Sequence, residues 1–188
     1  EQTTPTQQDN TIRQYVEDNP KPNTINLYVL GYNQNKKITE LNDLVKKNIQ
    51  QYLSQYRMLT DQVNILDAFV VNIGVNFDIT VYKNYNMADV LAVCIGAIKD
   101  YFDIDKWQIN QPIRLGDLQM LLQAQDGVQS VNRLDITNKY FFKDGRDYKP
   151  YRYDIAEALT NNVVYPSLDP CIFEIRYPED DIVGSAKQ

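Results

Sequence analysis

The stretch FVVNIGVNFDITVY, residues 69–82, decides the reading of the fold. Phe69, Val71, Ile73, Val75, Phe77, Ile79 and Val81 alternate with mostly polar residues, which is the two-residue period of a β-strand with one face in a core. The other face is then left to solvent or to a partner. At the usual rise these residues would span ~45 Å, longer than a typical strand, so the reading has part of it project past its sheet or bend at Gly74. A projecting strand is a pairing edge.

Working outward toward the N-terminus, Val63 to Leu66 reads as a short strand after a turn at Thr60-Asp61. Before it, from Thr39 as N-cap, Leu41, Leu44, Val45, Ile49, Tyr52, Leu53 and Tyr56 recur every three or four residues. That spacing predicts an amphipathic helix with one buried stripe. Ile25 to Leu30 reads as the first strand, closed by turn chemistry at Gly31, Asn33 and Asn35. Toward the C-terminus, Asn86 caps a helix whose apolar face runs through Val90, Leu91, Cys94, Ile95, Ile98, Tyr101 and Phe102, and this helix is expected to be the most buried. A shorter helix over Leu115 to Gln125 stops at Gly127, and Val128 to Ile136 follows as a strand with a phase break near Val131. The order β-α-β-β-α-(α)-β predicts an α+β fold, specifically a ferredoxin-like split β-α-β sandwich.

Residues 1–23 are polar and carry Pro5, Pro20 and Pro22, so they read as a linker or arm, and the core domain is placed at 24–137. Glu1 in place of Met, and a Thr/Gln-rich start without a charged-then-apolar leader pattern, read as a piece of something longer. Residues 138–188 differ in character and read as a C-terminal extension. Tyr140, Phe141, Phe142, Tyr148, Tyr151, Tyr153 and Tyr165 lie among Lys, Arg and Asp around a turn at Asp144-Gly145. Cys171 to Tyr177 is the expected last strand, followed by an acidic, frayed tail.

Composition narrows the chemistry. The 188 residues include no histidine, which removes the commonest general base, a frequent metal ligand and every Ser-His or Cys-His nucleophile arrangement. The chain is therefore not expected to be an enzyme, and no cofactor, small-molecule substrate or resident metal is expected. A net charge of -6 speaks against a phosphate-tracking surface, so no nucleic-acid partner is expected. No apolar run approaches the ~20 residues of a bilayer span, so no membrane partner is expected either. The two cysteines indicate no disulfide scaffold, and Cys94, between Val93 and Ile95, reads as a packed, inert thiol. Asp100, Asp103 and Asp105 lack the spacing and central glycine of a calcium loop and read as a solvated helix end. The pair Asp154 and Glu157, and the run Glu179 to Asp181, read as surface carboxylates. The seven glycines form no phosphate cradle. What rises above this background is the aromatic-basic stretch from Tyr140 to Tyr153, since Tyr and Arg are enriched at interfaces; an ordinary hairpin lid on the core explains it equally well.

Three longer stretches carry a resemblance: QYRMLTDQVNILDAFVVNIGVNFDITVY (55–82), NMADVLAVCIGAIKDYFDIDKWQINQPIRLGDLQMLL (86–122) and GVQSVNRLDI (127–136). The matching features are the turn from Arg57 to Asp61, the alternating strand from Phe69, Tyr101-Phe102 at a helix end, Pro112-Ile113 with Leu118, and Gly127-Val128. They cover about half the chain, and they are packing and turn features rather than a catalytic signature. In this order they resemble the J-type baseplate wedge family of contractile phage tails. One departure is Asn110, where a glycine would be expected before Pro112. The resemblance implies a structural virion protein, made late and assembled in the host cytoplasm. It further implies a homodimer that joins other wedge subunits into the tail-baseplate ring around the tube and rearranges when the sheath contracts. The expected contact residues are the Tyr140 to Tyr153 segment and Trp107. The rival expectation is a small-ligand or metal-binding regulatory domain on a ferredoxin-like scaffold.

Overall fold

The computed structural model describes residues 24–34, 37–56, 62–141, 145–167 and 169–188. Helices and strands are mixed in an α+β chain that divides into two compact units, Glu1–Phe69 and Val70–Gln188.

In the first unit, β1 (Thr24–Val29) and β4 (Gln62–Asp67) form a two-stranded parallel sheet. Between them lie a small hairpin of β2 (Gly31–Tyr32) with β3 (Ile38–Thr39), and helix α1 (Asp43–Ser54). Thr39 is in β3, and the helix is capped by Asn42, whose side chain accepts from the Leu44 N–H at 3.0 Å. The stripe expected to be buried is not, and α1 buries no residue. Its contacts with β4 explain this. Lys46 pairs with Asp67, and the Gln50 amide donates to the Val63 carbonyl at 2.9 Å. At 100° per residue, a helix that turns positions 46 and 50 to the strand swings Val45 and Tyr52 about a third of a turn away, while Ile49 and Leu53 stay half-buried. Leu44, Val45, Tyr52 and Tyr56 are accordingly exposed.

The second unit is organised on β5 (Phe69–Val81), all but its first residue in this unit. It is the strand with which β7 (Val128–Asn138), β10 (Cys171–Glu174) and β11 (Ile182–Lys187) all pair. β7 runs antiparallel, from Ile73↔Asn138 to Val81↔Val128, and β11 parallel, from Ile182↔Val75 to Lys187↔Thr80. From Ile73 to Val81 the strand therefore does not project; it is paired there with β7, and from Val75 to Thr80 also with β11. Register shifts between Asp78 and Ile79 and again between Thr80 and Val81 match the phase break expected near Val131.

Two helices cover one face. Helix α2 (Met87–Tyr101) packs on β11, α3 (Leu115–Gln123) packs on β7, and the two helices touch each other. Asn86 caps α2 by accepting from the Ala88 N–H at 3.0 Å, and Val90, Cys94 and Ile98 point inward. Gly127, at φ 92°, takes the left-handed conformation that ends the turn after α3. From Asn76 on, β5 alternates between buried and half-buried residues, as its sequence predicts, but Val70 to Val75 are buried on both faces. The reason is that residues 145–153 and the short helix α5 (Pro178–Asp181) lie over the second face. A Cβ on Gly74 would stand 2.9 Å from the Asp181 carbonyl.

Two expectations change here. The sheet of β1 and β4 is separate from that of β5, so residues 24–137 do not share one sheet. The acidic tail is α5 followed by β11, a strand of the main sheet, so residues 138–188 belong with the larger unit rather than extending from it. A third small sheet joins β6 (Ile113–Arg114), β9 (Val163–Val164) and β8 (Leu159–Thr160), with the short helix α4 (Ile155–Ala158) beside it.

Candidate interaction site

After β7 the chain leaves the sheet edge through Lys139, whose N–H donates to the Asn72 carbonyl at 2.8 Å, and turns at Tyr140-Phe141. Phe141 holds a φ of 67°, uncommon for a bulky side chain, and is 53% exposed. Tyr140 is exposed beside it, with ring centroids 5.7 Å apart edge to face, and the Arg152 guanidinium sits 6.0 Å from the Tyr140 centroid. Two aromatic rings and a cation are thus presented together at the surface. Phe142 lies outside the described residues.

The other expected contact residues are placed differently. Tyr148 is buried, and its hydroxyl donates to Asp181 at 2.7 Å. Trp107 is buried against Tyr101 and Phe102, with centroids at 5.6 and 5.0 Å. It fills the core because the chain folds back after α2, so its ring offers no surface to a partner. Tyr153 is half-buried, stacks edge-on with Phe173 at 5.7 Å and donates to the Tyr165 carbonyl. Burial pushes its phenol up to about 12. Tyr151 is half-buried.

Beneath the aromatic turn lies a polar cluster that the sequence reading missed. Asn72 and Glu174 are buried, and the Asn72 amide donates to Glu174 at 2.7 Å while its oxygen accepts from the Lys149 N–H at 2.7 Å. Arg176 reaches Glu174 at 3.3 Å and Asp147 at 3.2 Å, and Arg146 reaches Asp180 at 2.6 Å. Asp181 also accepts from the Tyr177 N–H at 2.9 Å. Burial raises its carboxyl above the ordinary 3.8, opposed by Tyr148, the Tyr177 N–H, Lys139 and Arg146. The one sequence signal was Asn72 itself, a polar residue in the apolar run FVVNIGV that a strand buried on both faces tolerates only when its amide is satisfied.

The carboxylates weighed as chemistry have local roles. Asp103 accepts from the Asp105 N–H at 3.1 Å in the turn after α2, and Asp154 caps α4 by accepting from Ala156 and Glu157. Among the described residues, no group of three or more His, Cys, Asp or Glu could hold a metal ion. Cys94 is buried, and desolvation pushes its thiol up to about 11, away from the reactive thiolate. Asn110 sits at φ 60°, accounting for its place where a glycine was expected. It also uses its side chain, accepting from the Cys171 N–H at 2.9 Å while its own N–H donates to the Cys171 carbonyl at 2.8 Å.

No family model matches the chain, and no curated protein matches it. Among the described residues, no helix is long and apolar enough to cross a membrane.

Proposed function

We propose that the chain is a structural assembly domain of a contractile virus tail, resembling the C-terminal part of the large baseplate wedge subunit of T-even bacteriophages. In this proposal it acts by contact alone, with copies of itself and with other wedge subunits in the baseplate ring of the virion. The observation that supports the reading is the exposed Tyr140-Phe141 pair with Arg152 stacked on it. The pair follows Lys139, which is tied to the Asn72 carbonyl, and Tyr and Arg are enriched among the few residues that dominate the energy of protein contacts. The stretch 139–153 is also basic, with five Lys or Arg against two Asp in a chain of net charge -6. The ferredoxin-like likeness belongs to the same proposal, in reduced form: β5, α2, α3 and β7 give an antiparallel strand pair with helices on one face.

The test is binding of the purified chain to purified neighbouring wedge subunits of the same virus, before and after the joint change Tyr140→Ser and Phe141→Ser. Both residues are exposed, so circular dichroism and melting should stay unchanged while binding falls by tenfold or more. Absence of binding to every wedge subunit would defeat the proposal, and stabilisation by added calcium would then favour the regulatory reading.

A further inference from the structure

The β1-β4 sheet of the first unit is unfinished by the usual standards of parallel sheets. Such pairs are normally covered on both faces, and fewer than three strands are marginal in water. Here Ile25 is 55% and Leu27 38% exposed on one face of β1, and Asn26 is exposed on the other. Helix α1 packs on β4 rather than over β1. Among the described residues β1 pairs with β4 alone, leaving its outer edge open. Open edges are usually guarded by Lys, Pro or another charge, yet Thr24 to Tyr32 contains none of them.

We propose that β1 is a self-pairing edge: two copies of the chain join their β1 strands antiparallel about a twofold axis at Asn26, giving a four-stranded sheet in the order β4-β1-β1-β4. The strand fits a second copy of itself in three respects. With Asn26 opposite its mate, Ile25 of each copy lies across from Leu27 of the other on the same face, so the exposed apolar side chains cover one another. On the opposite face the Asn64 amide already donates to the Asn26 oxygen at 3.3 Å. The Asn26 amide hydrogens can then reach across the axis, extending that bond into a row of four amides. Finally, an uncharged strand meets no repulsion in pairing with itself, and a twofold contact closes on two copies. This surface is distinct from the aromatic turn; the inference shares with the proposed function only the premise of contact between copies.

The experiment is the solution mass of the full chain from micromolar to several hundred micromolar by sedimentation, with Asn26→Lys and Asn26→Cys variants. The expected result is a concentration-dependent dimer whose dissociation constant rises tenfold or more in Asn26→Lys, with circular dichroism unchanged because the site is exposed. The native cysteines are buried, so Asn26→Cys should form a disulfide-linked dimer on mild oxidation, whereas Tyr32→Cys, exposed but off the axis, should not. A monomer throughout, a dimer indifferent to Asn26→Lys, or equal cross-linking at positions 26 and 32 would overturn the β1 pairing. A dimer lost only on changing Tyr140 and Phe141 would overturn it too, while leaving the proposed assembly role standing.

Discussion

The Tyr148 hydroxyl donates to the Asp181 carboxylate at 2.7 Å, and both groups are closed off from solvent. This bond joins the segment after the aromatic turn to the last residue of α5, just before β11, so it fastens the second face of β5 from two directions. Removing the hydroxyl in Tyr148→Phe leaves a buried carboxylate short of a donor. The expected loss is about 1.5–3 kcal/mol, read from urea unfolding, because hydrogen bonds to charged groups lie in that range.

The same carboxyl predicts a pH dependence. Burial raises Asp181 above 3.8, so the folded state holds the proton more tightly than the unfolded state. Its contribution to stability is fully present below the unfolded value and is lost as pH rises through the folded value. Urea midpoints measured from about pH 3.5 to pH 7 should therefore show the wild type falling relative to Asp181→Asn as pH rises. A difference that stays flat over that window would contradict the assignment.

Gly184 lies opposite Phe77 in the parallel register. A Cβ there would stand 2.6 Å from the Leu91 side chain and run into the Phe77 ring. Gly184→Ala should lower stability by about 1–3 kcal/mol, the usual cost of overpacking. Adding Phe77→Leu should recover part of the loss in the same melting experiment, since the clash is with the ring.

Asn110 separates backbone from side chain. Asn110→Gly keeps the positive φ and loses only the bond to Cys171, whereas Asn110→Ala loses the bond and strains the backbone. Alanine should therefore be the worse substitution, by about 0.5–1 kcal/mol beyond the glycine variant. Equal stability of the two variants would mean the conformation at position 110 relaxes freely.

The elements with strong local signals were legible in the sequence. The period of β5, the Asn86 cap, the stop at Gly127 and the phase break in β7 depend on neighbours a few residues away, and each stands where its residues predict. What could not be read depends on partners far along the chain. Val70 and Asn72 look like outward positions until residues 145–153 and α5 are known to cover them. Ile182 to Lys187 looks like a tail because six residues with a glycine and an alanine give little strand signal; their strand character comes from β5. The apolar stripe of α1 is plain in the sequence, but Lys46 and Gln50, not the stripe, make the bonds to β4, and spacing alone could not say so. At the candidate site the sequence groups the aromatic residues of 140–153 but does not say which rings face out; the burial of Tyr148 goes with its bond to Asp181, a partner far along the chain.

The pairing of β5 with β11 brings together Asp78 and Ser185, 107 positions apart. During synthesis β5 leaves the ribosome long before its parallel neighbour exists, and the groove beside Phe77 stays open until residues 182–187 have been made. This side of the main sheet can close only once residues 182–187 have been made, so the newborn chain has an interval in which that β5 edge is bare. A ribosome stalled short of position 182 would display a protease-sensitive chain, and release of those six residues would be the event that hardens it.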